Sequence, residues 1–293
     1  MRSHEGNLMD RSKLDGLARP VQVIAVTGGK GGVGKTSVAV NLAAALAAID
    51  KRVVLLDGDL GLANVDVFLG LSPRYTLAHV LNGERTLDEI LVTAPQGFQV
   101  VPAASGAANL ANMDARAHLG LVQAFSALAT QVDVLIVDTA AGLGHGVTQF
   151  SQAAQQVVVT ICDEPASLTD AYALVKVLSR HHGVSRFRVL TNMVRSPGGG
   201  RDLFRRFERV TTRFLDVVLD FVGEIPEDEY LRRAVRAQRT VTDAYPASVA
   251  AQAFRKLAAK AVAWPIPDSP RGNLEFFVER LVQPRPPRLE AVQ

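Results

Sequence analysis

Gly28-Gly29-Lys30-Gly31-Gly32-Val33-Gly34-Lys35-Thr36 follows directly on the β-branched run Val21–Thr27 and opens an Ala/Leu-rich stretch, Lys35–Ala48. A strand, a glycine loop and a helix in that order make an anion-binding turn, because consecutive backbone N–H groups and the positive helix end converge on it. Two patterns overlap in the loop. Gly29-x-Gly31-x-x-Gly34 fits a dinucleotide fingerprint, and Asp57 closes the next strand about where a ribose-binding acid would stand. From Gly29 the same residues also spell G-x-x-x-x-G-K-T, the P-loop. Lys35 and Thr36 decide between them. A dinucleotide's two phosphates are satisfied by backbone N–H groups alone, whereas a nucleoside triphosphate calls for an ammonium between its β- and γ-phosphates and a hydroxyl on Mg²⁺. ATP with Mg²⁺ is therefore the expected ligand, held by Gly29 to Thr36 together with Ser37.

Outward from the loop, apolar runs alternate with helical stretches. Strands are expected at Val21–Thr27, Arg52–Asp57, Gln99–Pro102, Val132–Asp138, Val157–Cys162, Phe187–Thr191 and Val217–Val222. Helices are expected at Lys35–Ala48, Ala115–Thr130, Ser167–His181, Leu203–Phe214, Tyr230–Gln238 and Ser248–Val262. Strands apolar on both faces and separated by helices indicate an α/β fold of the P-loop NTPase type, a mostly parallel twisted sheet with helices on both faces. Residues 1–20 read as a polar arm, 21–263 as the domain, 264–273 as a linker, 274–283 as an amphipathic helix and 284–293 as a frayed tail. Ser196–Arg201 (SPGGGR) reads as a flexible loop. Asp133-Val-Leu-Ile-Val-Asp138 is an apolar strand ending in an acid suited to holding Mg²⁺, and Asp57-Gly58-Asp59 ends another strand at the same sheet edge.

The chain has 293 residues, 48% of them hydrophobic and 21% charged, a balance that can fill a large core and excludes disorder for most of the length. Lys and Arg exceed Asp and Glu by 32 to 29, a formal charge of +3 that does not by itself indicate nucleic-acid binding. The single cysteine, Cys162, rules out an intrachain disulfide and a zinc ribbon. The first twenty residues lack the apolar stretch of a signal peptide, and no run is long enough to span a bilayer. A cytoplasmic protein is expected.

Lys30 has no duty in a general P-loop. Lys30-Gly-Gly-Val-Gly-Lys35-Thr36 resembles the deviant Walker A of the MinD/ParA-type ATPases. Asp57-Gly-Asp59-Leu-Gly-Leu-Ala-Asn-Val-Asp66 resembles the switch I of the MinD branch, Asp138-Thr-Ala-Ala-Gly142 its switch II, and Ile225-Pro-Glu-Asp228 with Ala234 and Pro246 its C-terminal region. Within the branch, Val100–Gly106, Cys162–Tyr172 and Arg271–Val282 are most similar to the FlhG/FleN regulators of flagellar number. The resemblance covers roughly residues 21–283. It implies a MinD-like fold and an ATPase, expected to be slow, that forms a homodimer when ATP binds. Lys35 and Thr36 would hold phosphate and Mg²⁺ in cis, and Lys30 would act across the dimer. Asp59 would position the attacking water, Asp57 and Asp138 would support the metal, and Gly142 would sense the γ-phosphate. Asn192 would read adenine, with the Pro226 loop on its other side. The implied partners are a FleQ-type transcriptional activator and the GTPase FlhF, although Asp10–Arg19 holds at best a degenerate form of the FlhF-activating motif DQAxxLR.

Leu274, Phe277, Val278, Leu281 and Val282 fall on one face of a helix, with Phe276 off that stripe. The bare pattern fits a terminal helix docked on its own domain, and the family resemblance favours reversible binding to an anionic inner-membrane surface; docking without ATP reconciles the two. The alternative function is a ParA-like partition ATPase that binds DNA through Arg232, Arg233, Arg236 and Arg239. Glu227, Asp228 and Glu229 adjoin that run, so it reads as a solvated face rather than a direct DNA-binding surface. A third class is a nucleotide-regulated scaffold with negligible hydrolysis.

Overall fold

In a computed structural model, the described residues are 21–59, 64–103, 120–121, 124–128, 131–266 and 276–277. Among them the chain runs β1 (Gln22–Thr27), α1 (Lys35–Ala47), β2 (Val53–Gly58), α2 (Val65–Leu69), α3 (Leu77–Leu81), α4 (Leu87–Ile90), β3 (Val92–Thr93) and β4 (Gln99–Val101). It continues as β5 (Val134–Thr139), α5 (His145–Ala153), β6 (Gln156–Ile161), α6 (Pro165–His182), β7 (Arg186–Val194), α7 (Gly199–Phe214) and β8 (Val218–Pro226). The last elements are α8 (Glu229–Arg236), α9 (Val241–Ala244) and α10 (Val249–Val262).

The eight strands make one sheet in the order β3-β4-β2-β5-β1-β6-β7-β8, parallel except for the β3–β4 pair. β1, β2, β5 and β6 are buried at every position, which is why their sequences are apolar runs rather than alternating ones. One face is covered by α1, α8, α9 and α10 around Leu42, Phe254 and Leu257. On the other face, α3, α4 and α5 pack around Phe125 and Phe150, while α6 and α7 pack around Leu174, Phe187 and Phe207. The chain leaves β1 for β2 on one side and returns through β5 and β6 to the other. The carboxyl end of β1 is thus the place where neighbouring connections diverge and a crevice opens.

Local chemistry sets the boundaries. α1 starts after Gly34, whose φ of 88° only glycine adopts without strain, and it is buried nearly all round between sheet and α10. α6 has Pro165 in its first turn and ends at Gly183, φ 66°. Asp228 caps two helices with one carboxylate, accepting from Tyr230 N at 2.8 Å and from Ala250 N at 2.9 Å.

The structure revises three readings. Only part of SPGGGR is a loop: α7 begins at Gly199, and Gly200 is needed there because a Cβ would collide with the side chains of Glu224 and Thr191. Trp264, placed in the linker, is buried with the Arg188 guanidinium 4.3 Å over its ring, and Pro265 O accepts from Gln156 at 2.6 Å. Phe277, placed on the membrane stripe, is 1% exposed and has a φ of 57°, a left-handed conformation that interrupts a helix. Its neighbour Phe276 is buried too, at 5.2 Å from Phe125 and stacked at 6.4 Å on Phe150. Leu274, Val278, Leu281 and Val282, and most of the Ala115–Thr130 helix, lie outside the described residues.

Candidate nucleotide site

The glycine loop runs from β1 to α1 across the sheet's carboxyl edge. Gly29 backs onto α6, where a Cβ would collide with the Asp170 carbonyl, and Gly34 backs onto the Asn192 amide. The loop is therefore clamped against two neighbours before any ligand arrives. Asn192 completes the clamp by donating from Nδ2 to Val33 O at 2.8 Å. Lys35 is buried inside the turn with Nζ donating to Lys30 O at 3.3 Å, and desolvation lowers its pKa, opposed by Asp138 and Asp59. A desolvated ammonium with one carbonyl for company is poised for an anion.

Beside the loop the carboxylates divide their work. Asp57 and Asp138 are register partners on β2 and β5, so both lie at the level of the end of β1. Burial raises Asp57 to about 6, although its oxygens accept backbone N–H bonds from Asp59 (3.1 Å), Asn64 (2.9 Å) and Val65 (3.1 Å). Asp57 is thus the tether of the loop between β2 and α2. Asp138 is 1% exposed and raised to about 8, chiefly by burial; the Thr36 hydroxyl donates to it, while Oδ1 is buried without a partner among the described residues. The Ser37 hydroxyl is orphaned in the same way. Buried polar oxygens are rarely left so. An orphan carboxylate oxygen next to a threonine hydroxyl and a P-loop lysine is the donor set that fits Mg²⁺ on a triphosphate.

Asp59 stands half-buried at the end of β2, with Asn64 Nδ2 3.4 Å from its Oδ2. Gly142, φ 93°, donates its N–H to Gly28 O at 3.4 Å, so the loop after β5 rests on the glycine loop. Asn192 is buried at the end of β7, and Pro226 ends β8 opposite Val194. Lys30 does not enter its own loop's pocket. Its Nζ reaches outward to Glu164 Oε2 at 2.5 Å, and that bond raises its pKa. The structure thus gathers Gly29–Ser37, Asp57, Asp59, Asp138, Gly142 and Asn192 at one edge, with Pro226 at the end of the neighbouring strand. Phe277 lies apart on the sheet face.

Glu164 was not singled out from sequence. Its signal was available: an acid just beyond a buried strand, before a helix-starting Pro165, belongs to the same carboxyl edge as Asp57 and Asp138. Phe150 gave no such signal, being an ordinary apolar residue of α5.

Fold and site together define a P-loop nucleotide-binding protein. Residues 24–241 match the CobQ/CobB/MinD/ParA nucleotide binding domain, and the chain belongs to that family. It is 58% identical to the antiactivator FleN of Pseudomonas aeruginosa over 92% of this chain and 97% of that one. It is 30% identical to the flagellum site-determining protein YlxH of Helicobacter pylori, covering 89% of each. Among solved structures, the cell division ATPase MinD of Pyrococcus furiosus superposes with a TM-score of 0.68 at 25% identity, over 83% of this chain and 98% of that one. MinD of Pyrococcus horikoshii, complexed with Mg-ADP, gives 0.68 at 26% identity over 82% and 95%.

Proposed function

We propose that this protein is an ATP-hydrolysing switch that pairs with a second copy of itself when ATP and Mg²⁺ bind, and that it restrains flagellar assembly as an antiactivator. The observation that carries the flagellar reading is the 58% identity to FleN along nearly the whole of both chains. A FleQ-type transcriptional activator is its protein target, FlhF a second partner, and the inner-membrane surface its platform.

The chemistry follows from the site. Lys35 bridges the β- and γ-phosphates while backbone N–H groups of Gly31 to Thr36 cradle the rest. Thr36 and Asp138 would hold the metal, with Asp57 fixing the loop beside them. The metal, when bound there, would supply positive charge to the phosphoryl group that is transferred. Asp59 orients the attacking water. Asn192 keeps its Oδ1 acceptor for the adenine amine, and Pro226 flanks the base. The outward Lys30 supports a role on a partner's phosphates, since its own pocket is served by Lys35. Pairing requires the Lys30–Glu164 bond to exchange for phosphate, and γ-phosphate sensing requires Gly142 N–H to leave Gly28 O. Hydrolysis reverses both, an order–disorder switch.

The buried Phe276 and Phe277 support docking of the C-terminal segment in the nucleotide-free state. Phe150, on which Phe276 stacks, belongs to α5, the helix following the Gly142 loop, and it also lies 3.2 Å from where a Cβ of Gly58 would stand. Movement of either switch is transmitted to Phe150 and loosens the segment. The partition alternative loses ground because Arg232, Arg233 and Arg239 are paired with Glu227, Glu229 and Asp243.

The test is sedimentation with anionic liposomes under ATP and under ADP, comparing the full chain with one truncated after Pro270, with DNA at matched salt as a control. ATP-dependent sedimentation lost on truncation is expected. Absence of liposome binding with ATP-dependent, salt-sensitive DNA binding would favour the partition reading instead.

A further inference from the structure

A cavity of about 450 Å³ lies on the outer side of β8; no P-loop residue lines it, and it reaches the nucleotide site only at Pro226, the last residue of the strand. β8 ends the sheet order, so its outer edge carries no strand among the described residues. The Val222 carbonyl shows the consequence: it accepts from Lys260 Nζ at 2.9 Å rather than from a neighbouring strand. Leu190, Val222, Ile225 and Leu257, all buried, give the cleft an apolar floor, and α10 supplies one wall through Val249, Gln252, Ala253, Lys256 and Lys260. Val249, at the mouth, is 56% exposed. From Val249 to Lys260 this wall runs for roughly 16 Å at 1.5 Å per residue, the span of about five residues of extended chain.

The charge around this floor is one-sided. Arg201, Lys256 and Lys260 line the cleft and form no ion pair among the described residues, although Arg201 also lies 5.1 Å over the Phe221 ring. Of the other arginines of α7, Arg205 is paired with Asp202 and Arg206 with Asp163, whereas Arg209 and Arg213 do not line the cleft. Glu224 is the one carboxylate in the lining. Three cations against one acid, around an elongated apolar floor beside a free strand edge, match an extended peptide that alternates apolar and acidic side chains. We propose that the β8–α10 cleft is a docking site for an acidic, apolar-anchored segment of a partner protein, distinct from the phosphate loop and adjoining the nucleotide site only at Pro226. Its apolar side chains fill the floor, and its carboxylates reach Arg201 and Lys256.

The test uses the full chain and a fluorescein-labelled short peptide of alternating leucine and aspartate, read by fluorescence anisotropy. Saturable binding that weakens as salt rises is expected, with a loss of at least about tenfold in the Arg201→Glu/Lys256→Glu variant and retention in Lys256→Arg. The double variant should keep wild-type melting temperature and ATP turnover. Equal binding of a leucine–lysine peptide would overturn the proposal, as would salt-independent binding, undiminished binding by the double variant, or no saturation up to about 1 mM peptide. A nucleotide-independent dimer of the full chain, lost in Lys256→Glu, would assign the cleft to a second copy and overturn it equally.

Discussion

Asp138 carries its proton to about 8 because burial penalises the carboxylate more than the Thr36 hydroxyl and the Lys35 ammonium reward it. Its ordinary value is 3.8, so across that window the folded state holds a proton that the unfolded state has released. Stability then falls as pH rises through the window, the reverse of an ion-paired carboxylate. In the absence of nucleotide, the melting-temperature advantage of Asp138→Asn over wild type should grow from about pH 5 to about pH 8. A constant difference would show that Asp138 is already ionised. Glu164→Gln should favour nucleotide-dependent pairing, measured by sedimentation velocity, because it releases Lys30 from its local partner. Equal pairing in the variant and the wild type would remove Glu164 from the switch. These residues differ in legibility. Lys35, Thr36 and Asp138 announce themselves by spacing, since phosphate chemistry fixes their positions on a strand–loop–helix. Asp57, expected as a metal support, also accepts backbone N–H bonds from residues 59, 64 and 65, a closure no local pattern displays.

Among the elements, the central strands and most of the longer helices were readable, whereas the nine-residue α5 and the helices of four or five residues were not. β1, β2, β5 and β6 are buried throughout, with polar residues only at or next to their ends, and fall within a residue or two of expectation. α3 and α4, with five and four residues, are too short for periodicity. α4 nevertheless has a capping box in Thr86 and Glu89, with Thr86 N donating to Glu89 Oε2 at 2.8 Å. At α7 the glycines of SPGGGR argued for a loop, and tertiary crowding by Glu224 and Thr191 overruled them. The C-terminal pair makes the sharpest case. A helical stripe selects Phe277 and rejects Phe276, but both side chains enter the cluster beneath α5 because the backbone turns left-handed at Phe277. Phe276→Ala should cost less than the ~3–5 kcal/mol of a core Phe→Ala change, because its segment can undock instead of leaving a cavity. Phe150→Ala, rooted in α5, should cost the full amount. Urea denaturation compares the two, and equal losses would mean that residues 276–277 are an integral part of the core. The Phe276→Ala variant should also sediment with anionic liposomes without ATP; unchanged sedimentation would sever the packing from membrane binding.

At the scale of the molecule, the nucleotide edge and the β8 cleft occupy different parts of one sheet. β1 carries the phosphate loop near the middle of the sheet, and β8 presents the free edge on one side. The fold class was legible because both-face burial leaves its mark on every central strand. The cleft was not, because its residues come from β7, α7, β8 and α10, far apart in sequence and unremarkable singly. The same holds for the outward turn of Lys30: sequence marks the lysine as surplus, and only the fold supplies Glu164 as its resting partner. In the proposed mechanism, a second lysine parked outside its own pocket leaves one chain incomplete as a catalyst. ATP turnover per molecule, measured across a range of protein concentrations, tests that claim most directly. The rate should rise with concentration and level off when pairing is complete, with Lys30→Ala remaining low throughout. A rate per molecule that is the same at every concentration, and unaffected by Lys30→Ala, would contradict it.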